Sequence, residues 1–232
     1  MSAERRIEQQ SLVQLAAEAI REMILSGELR PGDHLVEERL TETLGISRPP
    51  LREAFRLLQR EGLVVGIPRR GNVVSPLTSQ DVNEIFTLRA ALERLAMELA
   101  VPVRQLDRMM RCRSALEAMA DSARREDRAG LVKTAFEFHL ALVALAGNRR
   151  LEEMYHSLWL QMALCMAANT RFRESRNESL TDNVARHRLL LEIVESGELK
   201  DVLVAFEAHG DRAFFEELVE TLAAADDAPL TR

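Results

Sequence analysis

Apolar residues recur at spacings of three and four along nearly the whole chain, and the exceptions lie in one short region. From Leu12 to Leu25, Val13, Ala16, Ala17, Ile20, Ile24 and Leu25 share one face of a helix that Gly27 ends. Arg30-Pro31-Gly32-Asp33 reads as a turn and His34-Leu35-Val36 as a short extended piece. Glu37–Leu44 is a two-turn helix with Leu40 and Leu44 inward, stopped by Gly45. After Ile46, Ser47 is placed to cap a further helix with Pro49 and Pro50 in its first turn, running to about Glu61 with Leu51, Ala54, Phe55, Leu57 and Leu58 inward. The pattern then switches to β-rich runs, Leu63-Val64-Val65 and Asn72-Val73-Val74-Ser75. They flank Gly66-Ile67-Pro68-Arg69-Arg70-Gly71 and predict a two-stranded hairpin with a basic tip.

Past Pro76, helical periodicity returns and stays. Capping and breaking signals divide the remainder into helices at Ser79–Ala100, Arg104–Arg125, Arg128–Ala146, Arg150–Arg171, Leu180–Glu195 and Leu199–Leu222, with Ser79 as a cap for the first. Six helices joined by short turns predict an antiparallel bundle. The fold class expected is therefore mainly α, a winged helix-turn-helix at about residues 8–76 followed by an all-α bundle at about 79–225. Six of the ten glycines and five of the seven prolines fall between Gly27 and Pro76, which sets the two parts apart in texture.

Composition sharpens this division. A net charge of −6 taken alone opposes a nucleic-acid partner, but residues 1–78 hold 11 Arg against 11 acids, so the deficit belongs entirely to the bundle. Within residues 47–70, six arginines face only Glu53 and Glu61, and it is the local field that attracts a phosphate backbone. The longest apolar stretches are too short for a membrane span, and MSAERRIEQQ lacks a signal-peptide core, so a cytoplasmic protein with no membrane partner is expected. Cys112 and Cys165 lack CxxC spacing and suit a reducing compartment.

Helix, glycine turn, helix and basic hairpin is the order of a winged helix-turn-helix, whose second helix enters the major groove of DNA. Arg48, Arg52, Arg56 and Arg60 recur every four residues along one edge of that helix, opposite Leu51, Phe55 and Leu58. The first arginines reach deepest, where a guanidinium can bond guanine O6 and N7, while later ones meet phosphates. The Ser47 hydroxyl and the free N–H groups at the helix start suit a phosphate oxygen. A stripe of arginines is ordinarily a solvated face. Here the Gly45 turn, the Ser-Arg-Pro-Pro start and the Arg69-Arg70-Gly71 tip agree on a binding role.

In the bundle, three of the five histidines fall on core-facing positions. His139 lies among Leu131, Val132, Ala135, Phe136, Leu142 and Leu145. His187 and His209 lie at similar distances on either side of the Ser196-Gly197 turn, so adjacent antiparallel helices present them at one level. Three converging imidazoles make a site for a divalent transition metal, with zinc or nickel foremost. His34 and His156 read as structural.

The residues from Ala17 to Val64, including Gly27-x-Leu29-x-Pro31-Gly32, Leu44-Gly45-Ile46-Ser47-Arg48-x-Pro50-Leu51-Arg52-Glu53-Ala54 and Glu61-Gly62-Leu63, with Gly71-x-x-Val74 beyond, resemble the DNA-binding domain of GntR-superfamily transcription regulators. Phe138-His139-x2-Leu142-x4-Gly147-Asn148, Arg186-His187-Arg188-x2-Leu191, Glu207-Ala208-His209 and Glu84-x4-Arg89-x2-Leu92-Glu93 resemble the FCD effector domain of its FadR branch. The resemblance implies a homodimer on an inverted-repeat operator in double-stranded DNA, usually a repressor. It implies base reading by Arg48 and Arg52, with Ser47, Pro49 and the wing tip Arg69, Arg70 and Gly71 near the backbone or minor groove. It further implies a small organic acid effector near Arg89, His139, His187 and His209. Arg89 could equally serve an interhelical or surface salt bridge.

Two departures stand out. Where some relatives carry an Arg early in the helix before the turn, this chain has Glu38, with Arg39 next. Where many metal-binding relatives have an Asp one turn before the first histidine, it has Ala135, and Glu137 points to the opposite face. Two outcomes follow for the site: weaker metal binding completed by water or an anion, or a metal-free pocket in which the histidines bond the effector. An alternative of another class is a metal-dependent hydrolase using the three histidines, with the N-terminal domain as a DNA tether. A further one is a degenerate regulator whose bundle serves only to dimerise.

Overall fold

The computed structural model describes residues 11–69, 71–175 and 177–209. Its N-terminal unit is built from α1 (Leu12–Leu25), α2 (Glu37–Leu44), α3 (Arg48–Arg60), β1 (Val64–Ile67) and β2 (Gly71–Val74). A capping box between Ser11 and Gln14 starts α1, and Ala16, Ala17, Ile20 and Ile24 bury the face that meets Leu51, Phe55 and Leu58 of α3. Gly45 ends α2 at φ 63°, a conformation that a Cβ would strain. The two strands pair antiparallel with Val64 opposite Val74 and Ile67 opposite Gly71, and His34 bridges to Val73 beside them. Arg21 Nη2, shared between the two carboxylate oxygens of Glu61 (2.8 and 3.0 Å), and a bond from Gln59 Nε2 to Asn72 Oδ1 (2.7 Å) tie α3 to its neighbours.

The second unit comprises α4 (Ser79–Ala100), α5 (Leu106–Arg124), α6 (Arg128–Ala144), α7 (Arg149–Ser157), α8 (Trp159–Ser175), α9 (Leu180–Ser196) and α10 (Leu199–His209). Helix α6 runs through the middle, packed against α4, α5, α7 and α8, while α9 lies between α5 and α10, and α10 returns to α4. The fold class is the expected one, a small winged unit and an all-α bundle.

Three expectations need correcting. Thr78, not Ser79, caps α4, through a capping box with Asp81. The single helix expected over Arg150–Arg171 is two, because the chain turns at Leu158. There Ser157 Oγ donates to the Met154 carbonyl (2.7 Å), and Leu158 N bonds the carbonyl of Tyr155 (3.1 Å) in a tightened last turn. Finally, His34 and His156 are exposed rather than buried. The expected continuation of the last helix to Leu222, like the outer edges of both expected domains, lies outside the described residues.

The two units share apolar contacts through α8 and α6. Leu164 is buried with the α1–α3 core and Leu160 packs beside it, while Leu25 of α1 packs with Val132, Ala163 and Ala167. Arg171 of α8 donates to the carbonyl of Gly27 just past α1. Among the described residues, no helix is long and apolar enough to cross a membrane.

Candidate DNA-binding surface and bundle site

Helix α3 buries Leu51, Ala54, Phe55 and Leu58 and leaves Arg48, Arg52, Arg56 and Arg60 exposed along the other side. Ser47 stands at the N-cap position, but its side chain makes no capping bond. The cause is in the sequence: a capping oxygen accepts from the second or third helical N–H, and Pro49 and Pro50 occupy those places without one. The hydroxyl is left for another partner. The same prolines remove two of the four free donors of the helix start, so only Ser47 and Arg48 present theirs, fewer than expected.

The Arg52 guanidinium forks onto Glu37 of α2, with Nε 3.0 and 3.2 Å from the two carboxylate oxygens and Nη2 at 3.1 Å. Glu37 had no place in the sequence reading; its position relative to Arg52 comes from the crossing of α2 and α3. Arg56 pairs instead with Glu53 on its own helix. At the wing tip Arg69 takes φ 65° and Gly71 φ 80°, which closes the hairpin, while Arg70 lies outside the described residues.

Inside the bundle, His139 of α6, His187 of α9 and His209 at the end of α10 converge. One ligand nitrogen from each lies within 4.8 Å of the others. Ring centroids are 5.2 Å apart for His139 and His187, 5.1 Å for His139 and His209, and 4.4 Å for His187 and His209. His139 and His187 are buried and His209 is half-buried. Burial among apolar neighbours lowers the pKa of all three, and the nearby cation Arg89 adds to it. The imidazoles are therefore neutral, the form that ligates metals.

Hydrogen bonds orient two of the rings. His187 Nδ1 donates to the Asn183 carbonyl (2.7 Å) and leaves Nε2 with its lone pair. His139 Nδ1 lies 3.0 Å from Glu93 Oε1, and Arg89 Nη2 lies 2.9 Å from His139 Nε2, so the proton is assigned to Nδ1. Glu93 is itself buried: Oε1 also accepts from Arg89 Nε (2.8 Å) and the Tyr155 hydroxyl (2.7 Å). Beside Arg89, the carboxyl is held far below the usual carboxylate range despite its burial. Burial and the Glu93 charge push the Tyr155 phenol well up. Neither Glu93 nor Tyr155 was singled out for this site by its own chemistry. The i, i+4 spacing of Arg89 and Glu93 on a helix was the legible signal for the first.

Arg89 thus makes a buried ion pair within its own helix, neither the interhelical nor the surface salt bridge that was the alternative for it, and it also reaches His139. Phe86 lies under its guanidinium, 5.6 Å from the ring centroid. A cavity of about 430 Å³ opens between α4 and α10 on this side, lined by Phe86, Arg89, Glu93, Arg94, Leu203 and Phe206 among others. Ala135 is buried and brings no donor, and Glu137 is exposed. Cys112 and Cys165 are buried free thiols, each pushed up to about 12 by its apolar surroundings.

The family described as "Bacterial regulatory proteins, gntR family" matches residues 12–74, and the FCD domain family matches residues 84–212. An uncharacterized HTH-type transcriptional regulator in an unstable DNA locus of Streptomyces ambofaciens is 30% identical over 86% of this chain and 81% of its own. The uncharacterized HTH-type regulator YdhC of Bacillus subtilis is 33% identical over 58% of this chain, and the match spans only 61% of that relative's length. Among solved structures, a GntR regulator of Rhodococcus sp. RHA1 superposes with a TM-score of 0.68 at 23% identity. The superposition covers 90% of this chain and 97% of that one, a likeness of fold.

Proposed function

Because the chain belongs to the GntR family of bacterial regulatory proteins and carries an FCD domain, it is a DNA-binding transcription regulator, and we propose that a small carboxylate in its bundle sets operator occupancy. The observation that carries this reading is a buried arginine that both lines a cavity between α4 and α10 and lies against His139, one of three converging imidazoles. The hydrolase alternative finds no support in these relatives, which are regulators.

On the DNA side, Arg48 and Arg52 read base edges, and Ser47, Pro49, Arg69, Arg70 and Gly71 follow the backbone or minor groove. What supports this is the exposure of the arginine edge, the unspent Ser47 hydroxyl, and the fork from Glu37 that aims the Arg52 guanidinium. The chain acts as a homodimer on an inverted repeat, with half-site spacing set by the two winged units.

On the bundle side, Arg89 meets an effector carboxylate in bidentate fashion. In turning to it, Arg89 gives up its bond to His139 Nε2 and opens that lone pair. His139, His187 and His209 would hold a divalent transition metal, zinc or nickel. Their neutrality and the fixed tautomers of His139 and His187 fit such an ion. The bound ion would supply a fixed positive charge for the anion.

Coupling between the sites has a physical route. Helix α6 carries His139 against Arg89, which lines the pocket, and, two turns earlier, Val132 against Leu25 of α1 and Ala163 of α8. An effector that shifts α6 therefore changes how the winged unit is seated, and the population with matching half-site spacing falls, which relieves repression.

The test combines three measurements on the full chain. Metal content is taken after purification without chelator, thermal shift is screened across carboxylic acids with and without Zn(II) or Ni(II), and operator fragments are titrated by mobility shift. A carboxylate that raises the melting temperature and weakens the operator complex, with both effects lost in Arg89→Met, is expected. No shift for any acid in either metal state would leave the bundle as a dimerisation module and refute the reading.

A further inference from the structure

With Ala135 in the place of an acidic residue, the three histidines have no oxygen ligand on α6, and the nearby carboxylates among the described residues are engaged or exposed. Glu93 Oε1 accepts from Arg89, Tyr155 and His139. Glu178 pairs with Arg173 and Arg186. Asp182 accepts from the backbone N–H and hydroxyl of Ser179 at the exposed start of α9 (2.8 and 2.6 Å), and Glu137 is exposed.

One oxygen is not engaged. The side-chain Oδ1 of Asn183 is buried without a hydrogen-bond partner. Asn183 precedes His187 by one turn of α9, so the two share a helix face, and the Asn183 carbonyl already receives the proton of His187 Nδ1. Buried amide oxygens are almost always satisfied, and one on the helix face of a ligand residue calls for a partner, an ion or an ordered water.

We propose that Asn183 supplies, through its carboxamide oxygen, the oxygen ligand that Ala135 cannot, so that His139, His187, His209 and Asn183 form a neutral three-nitrogen, one-oxygen set for a divalent transition ion. The inference rests on the metal reading of the preceding section. Imidazole and amide oxygen are both acceptable donors to zinc or nickel. A neutral set leaves the double positive charge of the ion undiminished, where a carboxylate would have cancelled half of it. The site then holds its metal less tightly alone and draws a chelating anion more strongly, which makes metal retention depend on the effector.

The experiment uses the full chain stripped of metal by dialysis against chelator. Zn(II) and Ni(II) affinities are measured by competition with a chromophoric chelator, and the Co(II) absorption spectrum reports the ligand set. Asn183→Ala is expected to weaken metal affinity by about tenfold or more and to alter the Co(II) bands, with the metal-free melting temperature no lower than that of the unsubstituted chain. Asn183→Asp is expected to bind more tightly than the unsubstituted chain, and Ala135→Asp in the Asn183→Ala background to regain affinity. Unchanged affinity and an unchanged Co(II) spectrum in Asn183→Ala overturn this inference and leave the metal reading standing. An unsubstituted chain that takes up none of the three ions overturns both. A metal-free Asn183→Ala protein that is destabilised, yet binds metal normally when folded, assigns Asn183 a purely structural role and also overturns the inference.

Discussion

Replacing Arg89 by Met tests the network at the centre of the bundle. Arg89 and Glu93 are both buried, with side chains 10% and 8% exposed, and their 2.8 Å contact is the main reason that a carboxylate is tolerated there. Removing one member of such a pair strands the other, at a cost of about 3–5 kcal/mol. For a chain of this size each kcal/mol moves the melting temperature by roughly 2–4 °C, so a drop of roughly 6–20 °C is expected. The cost has a pH signature. Once Arg89 is gone, His139 faces Glu93 Oε1 at 3.0 Å with no opposing cation, so its pKa in the folded variant rises. Stability from a raised histidine pKa is present in acid and lost as pH climbs through the folded value, so the deficit shrinks on going from pH 8 to pH 6. Replacing three of the four members of the network, Arg89→Leu, Glu93→Leu and Tyr155→Phe, removes the stranded charge and the phenol it would orphan, leaves His139 without its acceptor, and is expected to recover part of the loss. Urea unfolding at pH 8 and melting curves from pH 6 to pH 8.5 make the comparison. Arg89→Met within ~1 kcal/mol of the unsubstituted chain, or a triple variant as unstable as the single one, would refute the account of Glu93 as a charge held by Arg89.

Other expectations are independent of that network. Arg52→Ala should cost ~1–3 kcal/mol at the operator and relax discrimination at one base pair of each half-site, whereas Arg56→Ala should weaken all sequences alike and lower the salt dependence by about one counterion; fluorescence-anisotropy titrations over several salt concentrations separate the two. Gly45→Ala meets open space but must hold φ 63°, so it should cost ~1–2 kcal/mol; Gly27→Ala adds a collision with Arg171 and should cost more, as urea unfolding would show. The lowered pKa values of His187 and His209 predict a stability loss in acid: the unfolded chain takes up protons first, so stability is fully present above about pH 6.5 and falls below it, by up to ~1.4 kcal/mol per pH unit per histidine. Replacing His187 by Gln should flatten that slope in pH-dependent melts, and an unchanged slope would show the acid loss to arise elsewhere.

Much of the fold was legible because its signals are local. The glycine after α2, the prolines opening α3 and the alternation around the wing each act within a few residues, and the structure places those elements at the expected ranges to within a residue or two. The histidine cluster was legible for a related reason, since an antiparallel pair joined by a short turn brings residues equidistant from that turn together, and His187 and His209 do meet. The break at Leu158 was not, because helical periodicity runs straight through it and a serine bonding its own preceding turn leaves no hydrophobic trace. The silence of Ser47 as a cap could have been read from Pro49 and Pro50, which lack the protons it would receive.

By itself the sequence determined the two-part architecture, the basic edge of α3 and the three histidines, because periodicity, punctuation and charge are properties of neighbours along the chain. Only the tertiary structure decided which groups share a site. Glu93 and Tyr155 are 62 residues apart, Arg89 and His139 50, and Arg52 and Glu37 15 on separate helices; their contacts depend on how helices cross, not on spacing. The seating of the winged unit on α6 and α8 depends likewise on packing, of Leu164 with the α1–α3 core and of Leu25 with Val132, Ala163 and Ala167, which no periodicity announces. Burial completes the difference, since it is the packed surroundings that keep the imidazoles neutral and bring Glu93 its partners while leaving an Asn183 oxygen with none.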